Sequence, residues 1–464
     1  MADPAIRSRR ELLRRLAVAA ELEHGLCLQY LFTAASLKDR FDEGGLTVDE
    51  LIRVRGWKAT LNFIASQEML HLAQVINLTV AVGGQPHLTR PNFPQRPDYY
   101  PTGLPWGLWP FRAQVIELYA WYERPDNWGD QPPDWPDEDP LEAGRFPVLT
   151  ADSPAAKDPF AHLPDRYARP RATPHETIVD LYAAIGQAYR DLPGMVIGDP
   201  ADQLTGAMLD SPQLIEVVDV PTALAAIELI VEQGEGRPDD EPDSHVGAYL
   251  AILDDLSSID RPGFAPARDV AANPLSRLHP DNTYPGWRLI DDPHTRAVND
   301  LTSGVYRSIL ELLLLSGRRR PWAAPIALAL MTGVLAPLTE ILTTLPMGLP
   351  NDGDGSPGEQ TRARCAGAGF ELSPTPAPMP GPGAPRLVQD ALLALAGDAD
   401  RLATGDRRLD AVGASIRAAA DRLGGTGSGS GSDTGVGSDT ETDTDPDAGT
   451  DGADGAGDLL PSGG

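Results

Sequence analysis

Two long stretches of the chain repeat apolar side chains at alternating steps of four and three. Leu12, Leu16, Ala19, Glu23, Leu26, Tyr30 and Thr33 share one row. Trp57, Leu61, Ile64, Glu68, His71, Val75, Leu78 and Val82 share another. This spacing predicts two helices whose seams meet in a bundle. The same kind of period predicts helices near Arg9–Leu37, Val48–Val82, Arg112–Tyr122, His175–Arg190, Thr222–Gln233, Ser244–Leu256, His294–Leu315, Ala323–Thr344, Val388–Leu395 and Arg407–Leu423. No comparable set of alternating strands is present, so the expected class is all-α. No repeat of solenoid length occurs.

Composition changes this picture in one way. With 46 Gly and 45 Pro among 464 residues, long loops must separate the helices. They concentrate in Arg124–Pro174 and in Pro350–Pro385. The expected organisation is a domain over 1–372 with a loop-rich insertion at 124–174. A Pro/Gly-rich linker at 373–385, C-terminal helices over 386–423 and a tail over 424–464 follow. The tail carries acids and no base, has almost nothing apolar to bury, and is expected to be disordered. Its Asp443, Asp445 and Asp447 faintly resemble a calcium loop, but Ala448 stands where the turn needs glycine and no glutamate closes it.

The formal charge of −29 argues against nucleic-acid and anionic-membrane partners. Cys27 and Cys365 cannot build a disulfide framework, which suits a reducing, cytoplasmic setting. The residues after Met1 run straight into an amphipathic pattern, so no targeting segment is expected. Pro321–Leu338 is uncharged and barely long enough to span a bilayer. Its three prolines and many alanines favour a buried helix instead.

The seams carry the candidate chemistry. An ionised glutamate in a dry seam is costly unless something pairs with it. Glu68 and His71, three apart, can reach one point, which is the Glu-x-x-His element of metal-binding bundles. Glu23 interrupts the first seam in the same way. Neighbouring His24 lies on a parallel apolar row and reads either as a ligand or as a hydrogen-bonded core histidine. Glu21 shares its side with Arg10 and Arg14, which predicts a solvated carboxylate. Glu232 ends one helical stretch and His245 follows Ser244, a candidate N-cap, at the start of the next. The two either converge across that turn or merely end one helix and start another. The aromatic, Pro-rich stretch Phe93, Tyr99, Tyr100, Trp106, Trp109 and Phe111 either packs as a loop on the bundle or walls a pocket for an aromatic substrate.

Taken together these strings resemble a known family. Glu21-Leu-Glu-His24-Gly…Leu28-Gln-Tyr30, Gln67-Glu68-Met-Leu-His71-Leu, Gly83-Gly84-Gln-Pro86, Val231-Glu-Gln-Gly-Glu-Gly236, Ser244-His245, Asn273-Pro274 and Leu330-Met331 are similar to the ferritin-like domain of the iminophenyl-pyruvate dimer synthase family. That family is related to the enzymes that couple tryptophan-derived imines in violacein- and rebeccamycin-type pathways. The resemblance runs from about Arg9 to Leu372. It implies a ferritin-like four-helix bundle with insertions and extra helices, and a dinuclear metal site, iron first and manganese second. The implied ligands are Glu23, Glu68, His71, Glu232 and His245, with Glu235 a further candidate. Tyr30, seven residues after Glu23, resembles the tyrosine beside the di-iron centre of ferritins and is the implied catalytic residue. The second Glu-x-x-His is missing, because Pro242 stands three before His245. A fourth carboxylate would have to be Glu232, Glu235 or Glu228.

Oxygen ligands together with imidazole suit iron or manganese. The expected function is oxidation of a small, amino-acid-derived imine or 2-oxo acid in secondary metabolism, with a homodimer allowed. A non-catalytic bundle that binds a metal or a partner is the alternative. A hydrolase using Glu68 and His71 without metal lacks a nucleophile in the seam.

Overall fold

The computed structural model describes residues 6–95, 100, 106–124, 177–234, 244–279, 287–317, 319–348, 365–373, 381 and 383–426. Helix α1 spans Arg9–Ser36, and its N-cap Ser8 accepts from the Glu11 amide. Helix α2 spans Val48–Ala81 behind a reciprocal capping box of Thr47 and Glu50. It stops at Gly83, whose φ of +78° suits glycine. The two long helices pack along their lengths as an antiparallel hairpin. Helices α3 (Ala113–Tyr122), α4 (Ile178–Asp191), α5 (Gly206–Leu209), α6 (Val220–Gly234) and α7 (His245–Ser257) follow.

A ring of four helices forms the bundle. Helix α1 packs on α2 and α4, and α6 packs on α2 and α4. Helices α3 and α7 pair with each other, and α7 also touches α2 and α6. The seams predicted for α1 and α2 are the buried ones: Leu12, Leu16, Ala19, Leu61, Ile64, Val75 and Leu78 all lie in the core.

Beyond the bundle, α8 (Pro293–Leu315) packs against α9 (Ala323–Leu330), α10 (Ala336–Leu342) and α11 (Ala384–Ala403). Helix α12 (Asp410–Thr426) lies along α11. The described residues belong to one compact unit. Helix α11 is longer than the expected Val388–Leu395, because the buried row Val388, Leu392, Ala396 and Ala399 continues through small alanines. Between α9 and α10 the helix widens into a π turn at Met331–Leu335. Pro337 has no N–H for the Gly333 carbonyl four residues back, and a widened turn absorbs that loss. The run Ala323–Leu342 is long and apolar enough to cross a membrane by length and composition, yet half of its apolar window is buried here, against α8 and α12. The only strands among the described residues are a two-residue parallel pair, Pro274–Leu275 with Arg288–Leu289, so the chain is all-α.

Most of the 124–174 insertion, the linker residues 374–380 and the tail from 427 onward, with its Asp443–Asp447 run, lie outside the described residues. Gly424–Thr426, expected in the tail, complete the last turn of α12.

Candidate metal centre

Five acidic and imidazole side chains meet inside the bundle. Glu23 comes from the middle of α1, Glu68 and His71 from neighbouring turns of α2, Glu123 from just past the end of α3, and His245 is the first residue of α7. None is more than 3% exposed. Two ligand groups emerge, Glu23–Glu68–His71 and Glu68–Glu123–His245, each with its donor atoms within 4.8 Å of one another. Glu68 belongs to both.

The histidines face the carboxylates through the same ring atom. His71 Nδ1 lies 3.2 Å from Glu68 Oε2 and 3.4 Å from Glu23 Oε2. His245 Nδ1 lies 2.7 Å from Glu123 Oε2 and 3.0 Å from Glu68 Oε1. The far nitrogens face carboxamides: His71 Nε2 is 3.0 Å from Gln233 Oε1, and His245 Nε2 is 3.2 Å from Gln67 Oε1. A carboxamide oxygen only accepts, so each ring carries a proton on Nε2, and the nitrogen turned toward the carboxylates, where a metal would take the place of a proton, is Nδ1. Tyrosines hold the outer carboxylates. Tyr182 donates to Glu23 Oε1, and Tyr30 and Tyr249 both donate to Glu123 Oε1. The Tyr30 ring stacks edge-on against Tyr119, with centroids 4.6 Å apart.

Burial and mutual repulsion disturb every one of these groups. Burial pushes the Glu23 carboxyl up to about 8, with His71 pulling it back and Glu68 adding to the rise. Burial likewise raises Glu123 against the pull of His245. Burial alone would keep both imidazoles neutral. Instead Glu68 and Glu23 hold His71 well above its ordinary value, and Glu123 and Glu68 hold His245 up at about 9. Burial also works against ionisation of Glu68, but the two flanking imidazoles prevail and keep it below the usual carboxylate range. The cluster therefore demands positive charge at its centre, and among the described residues neither lysine nor arginine pairs with any of its carboxylates.

The residues fit bound metal, in two candidate ligand groups. Glu68 Oε1 is buried with no hydrogen bond, because His245 Nδ1 stands near it but out of alignment. Buried polar atoms are ordinarily satisfied, so such an orphan needs an explanation. A cavity of about 20 Å³, bordered by Glu23, Glu68, His71, Glu123 and Tyr182, lies among them, room for one small species. Three carboxylates and two imidazoles form a hard-oxygen and nitrogen donor set suited to iron or manganese. No further acidic ligand joins them among the described residues.

The structure brings Glu23, Glu68, His71 and His245 together and sets Tyr30 against Glu123. It does not bring in Glu232. In α6 the buried face is Ala223, Ala226, Ile227, Ile230 and Gly234, which leaves Glu232 and Glu228 exposed on the other sides of the helix. The residue that the Val231–Gly236 string delivers to the centre is Gln233. Glu235 lies outside the described residues. His24 is buried on a different row and bonds Tyr306 through Nε2 at 2.5 Å. Glu21 is not free in solvent, since His87 and Tyr100 both bond it. The aromatic stretch packs as a loop: Trp106 lies 4.7 Å from both Tyr100 and Tyr122, centroid to centroid. Tyr99 lies outside the described residues.

Glu123, Tyr249 and Tyr182 were missed. Ile116, Tyr119 and Glu123 follow one another at helical steps on the buried face of α3, the same interrupted row that marks Glu23 and Glu68. Glu123 stands one residue past the last helical turn, where the row is too short to read.

The ferritin-like family pattern matches residues 16–254, the span that holds all five of these side chains. The chain belongs to the ferritin-like family. It is also 28% identical over 400 residues to a 2-imino-3-(indol-3-yl)propanoate dimerase from Chromobacterium violaceum, covering 77% of this chain and 34% of that protein. A dichlorochromopyrrolate synthase from Lentzea aerocolonigenes is 24% identical over 386 residues, covering 74% and 35%. This ferritin-like chain thus spans about a third of the length of either relative. Among solved structures, a ferritin-like protein from Caulobacter vibrioides aligns with a TM-score of 0.44 and 18% identity, over 73% of this chain and 96% of that one.

Proposed function

We propose that the chain is a dinuclear, metal-dependent oxidoreductase, with iron the first choice of metal and manganese the second. Its substrate class would be a small amino-acid-derived imine or 2-oxo acid, as the names of its relatives suggest. The observation that carries the reading is Glu68, a buried carboxylate shared by two ligand groups that each hold one further glutamate and one histidine. The chemistry that such a metal pair supplies is oxidation with dioxygen or peroxide as electron acceptor. Glu23, Glu68 and Glu123 would provide the anionic ligands, and His71 and His245 the neutral ones. Gln67 and Gln233 hold the imidazoles in the tautomer that leaves Nδ1 free to ligate. Tyr30 and Tyr249 hold the Glu123 carboxylate by hydrogen bonds, and Tyr30 sits where it can deliver a proton to Glu123 Oε1.

Access supports the same reading. A cleft of about 1090 Å³ reaches His245, Gln67 and Gln233 from outside and is walled by Trp57, Phe63 and Ile252. Phe63 is 61% exposed, an aromatic face for a planar substrate to stack on. The carboxamides of Gln67, Gln213 and Gln233 offer donors to a substrate carboxylate or imine.

Elemental analysis of the purified protein beside a Glu68→Ala variant, followed by oxygen consumption with candidate imines and 2-oxo acids, tests the proposal. Two metal ions per chain, both lost in Glu68→Ala, with substrate-dependent oxygen uptake, is the expected result. Equal metal content in the two proteins overturns the metal reading. Metal without oxygen uptake on any candidate makes the bundle a non-catalytic metal binder.

A further inference from the structure

A second pocket lies on the opposite face of the α1–α2 hairpin. It has a volume of about 800 Å³ and runs between α1 and α2 on one side and α8, α9, the π turn and α10 on the other. Its walls are apolar: Leu28, Leu31, Met69, Ile76, Leu310 and Leu313. Its mouth is polar and solvent-facing, framed by Asn62, Ser66 and Thr332. Its floor is closed by His24 and Tyr306, both buried and joined by their 2.5 Å hydrogen bond. The His24 Nδ1 lies near the Leu88 carbonyl without the alignment of a hydrogen bond.

Each of these features points to a small-molecule seat. Pockets of 300–1,000 Å³ with apolar walls and a few polar groups are the usual form of ligand sites. A π turn inside a helix often accompanies such sites, and here Met331, Thr332 and Leu335 of that turn line the wall. The charge of the pocket selects the ligand. Asp210 and Glu340 are its only formally charged lining residues among the described residues, both acidic. Glu340 is already paired with Lys58 at 2.6 Å and Arg268 at 2.9 Å. Among the described residues no cation lines the pocket to hold a carboxylate or phosphate; Arg90 lies behind its floor, 5.7 Å from the Tyr306 ring centroid.

We propose that this pocket binds an uncharged, largely apolar small molecule, with one hydrogen-bonding group read by the His24–Tyr306 pair. The site is separate from the metal centre, which lies on the other face of the same two helices, and the inference does not depend on a metal being bound.

Fluorescence titration of the full chain with the neutral probe N-phenyl-1-naphthylamine tests it, beside the anionic probe 1-anilinonaphthalene-8-sulfonate. Leu31→Trp fills the wall and Thr332→Trp narrows the solvent-exposed mouth, so at least one variant should keep the wild-type melting temperature. Phe63→Ala alters the other cleft. The expected result is one saturable neutral-probe site per chain, weakened at least tenfold in a stably folded Trp variant, unchanged in Phe63→Ala, with weaker binding of the anion. The proposal is overturned by absence of saturable neutral-probe binding, by binding unchanged in the folded Trp variants, by its loss in Phe63→Ala, or by tighter binding of the anionic probe.

Discussion

Glu123 and Glu232 occupy opposite situations although both are glutamates at the end of a helix. Glu123 has its carboxylate between His245 Nδ1 and the hydroxyls of Tyr30 and Tyr249. Glu232 is exposed on α6, on the wall of the outer cleft, two residues before the helix ends. Glu123→Ala removes one ligand from the group that also holds His245 and leaves the Glu23–Glu68–His71 group intact. The expected outcome is loss of one of two metal ions per chain, read by elemental analysis, whereas Glu232→Ala keeps both. Equal behaviour of the two variants would contradict the assignment. Glu23, Glu68 and His71 were legible in the sequence because each interrupts a long row of apolar positions. Glu123 was not, because the short α3 gives its row only two apolar members before the carboxylate. Gln67 and Gln233 carry no charge and raise no burial anomaly in a sequence, so their role depends on the partners that the fold brings.

Most of the helices were legible from period alone, since long amphipathic rows leave few other ways to bury them. The irregular elements were less so. The π turn depends on how Pro337 is accommodated, and the short α5 has too few residues to show a period. One element carries a constraint visible only in three dimensions. Gly25 sits inside α1, where glycine is ordinarily a weak choice. A Cβ there would lie 2.5 Å from Trp106 Nε1, and that ring is wedged among Tyr100 and Tyr122. Gly25→Ala gains helix propensity, yet overpacking a filled core costs about 1–3 kcal/mol. A lower melting temperature than wild type is expected by calorimetry, whereas propensity alone predicts a rise. A displaced Trp106 also shifts Tyr122, the residue before Glu123, so metal affinity should fall together with stability.

For the whole molecule, the buried cluster couples protonation to folding. His245 titrates at about 9 in the fold against an ordinary 6.5. Glu23 titrates at about 8 against 4.5. Both folded values are raised, so the folded state holds protons that the unfolded chain releases. Their contribution is therefore present at low pH and is lost as pH rises through 8 to 9. Metal ions displace the same protons, so their affinity rises over that window. Chelator-treated protein should lose melting temperature between pH 6.5 and 9, while metal-loaded protein holds it. A loaded-minus-stripped difference that stays flat across that range would argue against metal at this cluster.

The two ligand groups also differ in how much chain must be in place before each exists. Glu23, Glu68 and His71 lie on a single helical hairpin, so that half can form from the first 81 residues. The other half waits for Glu123 and for His245, 177 positions beyond Glu68. On a ribosome the first seat would be complete long before the second is made, and an early ion there would pin the hairpin while the rest emerges. Hydrogen exchange would then show the α1–α2 amides protected ahead of those in α7.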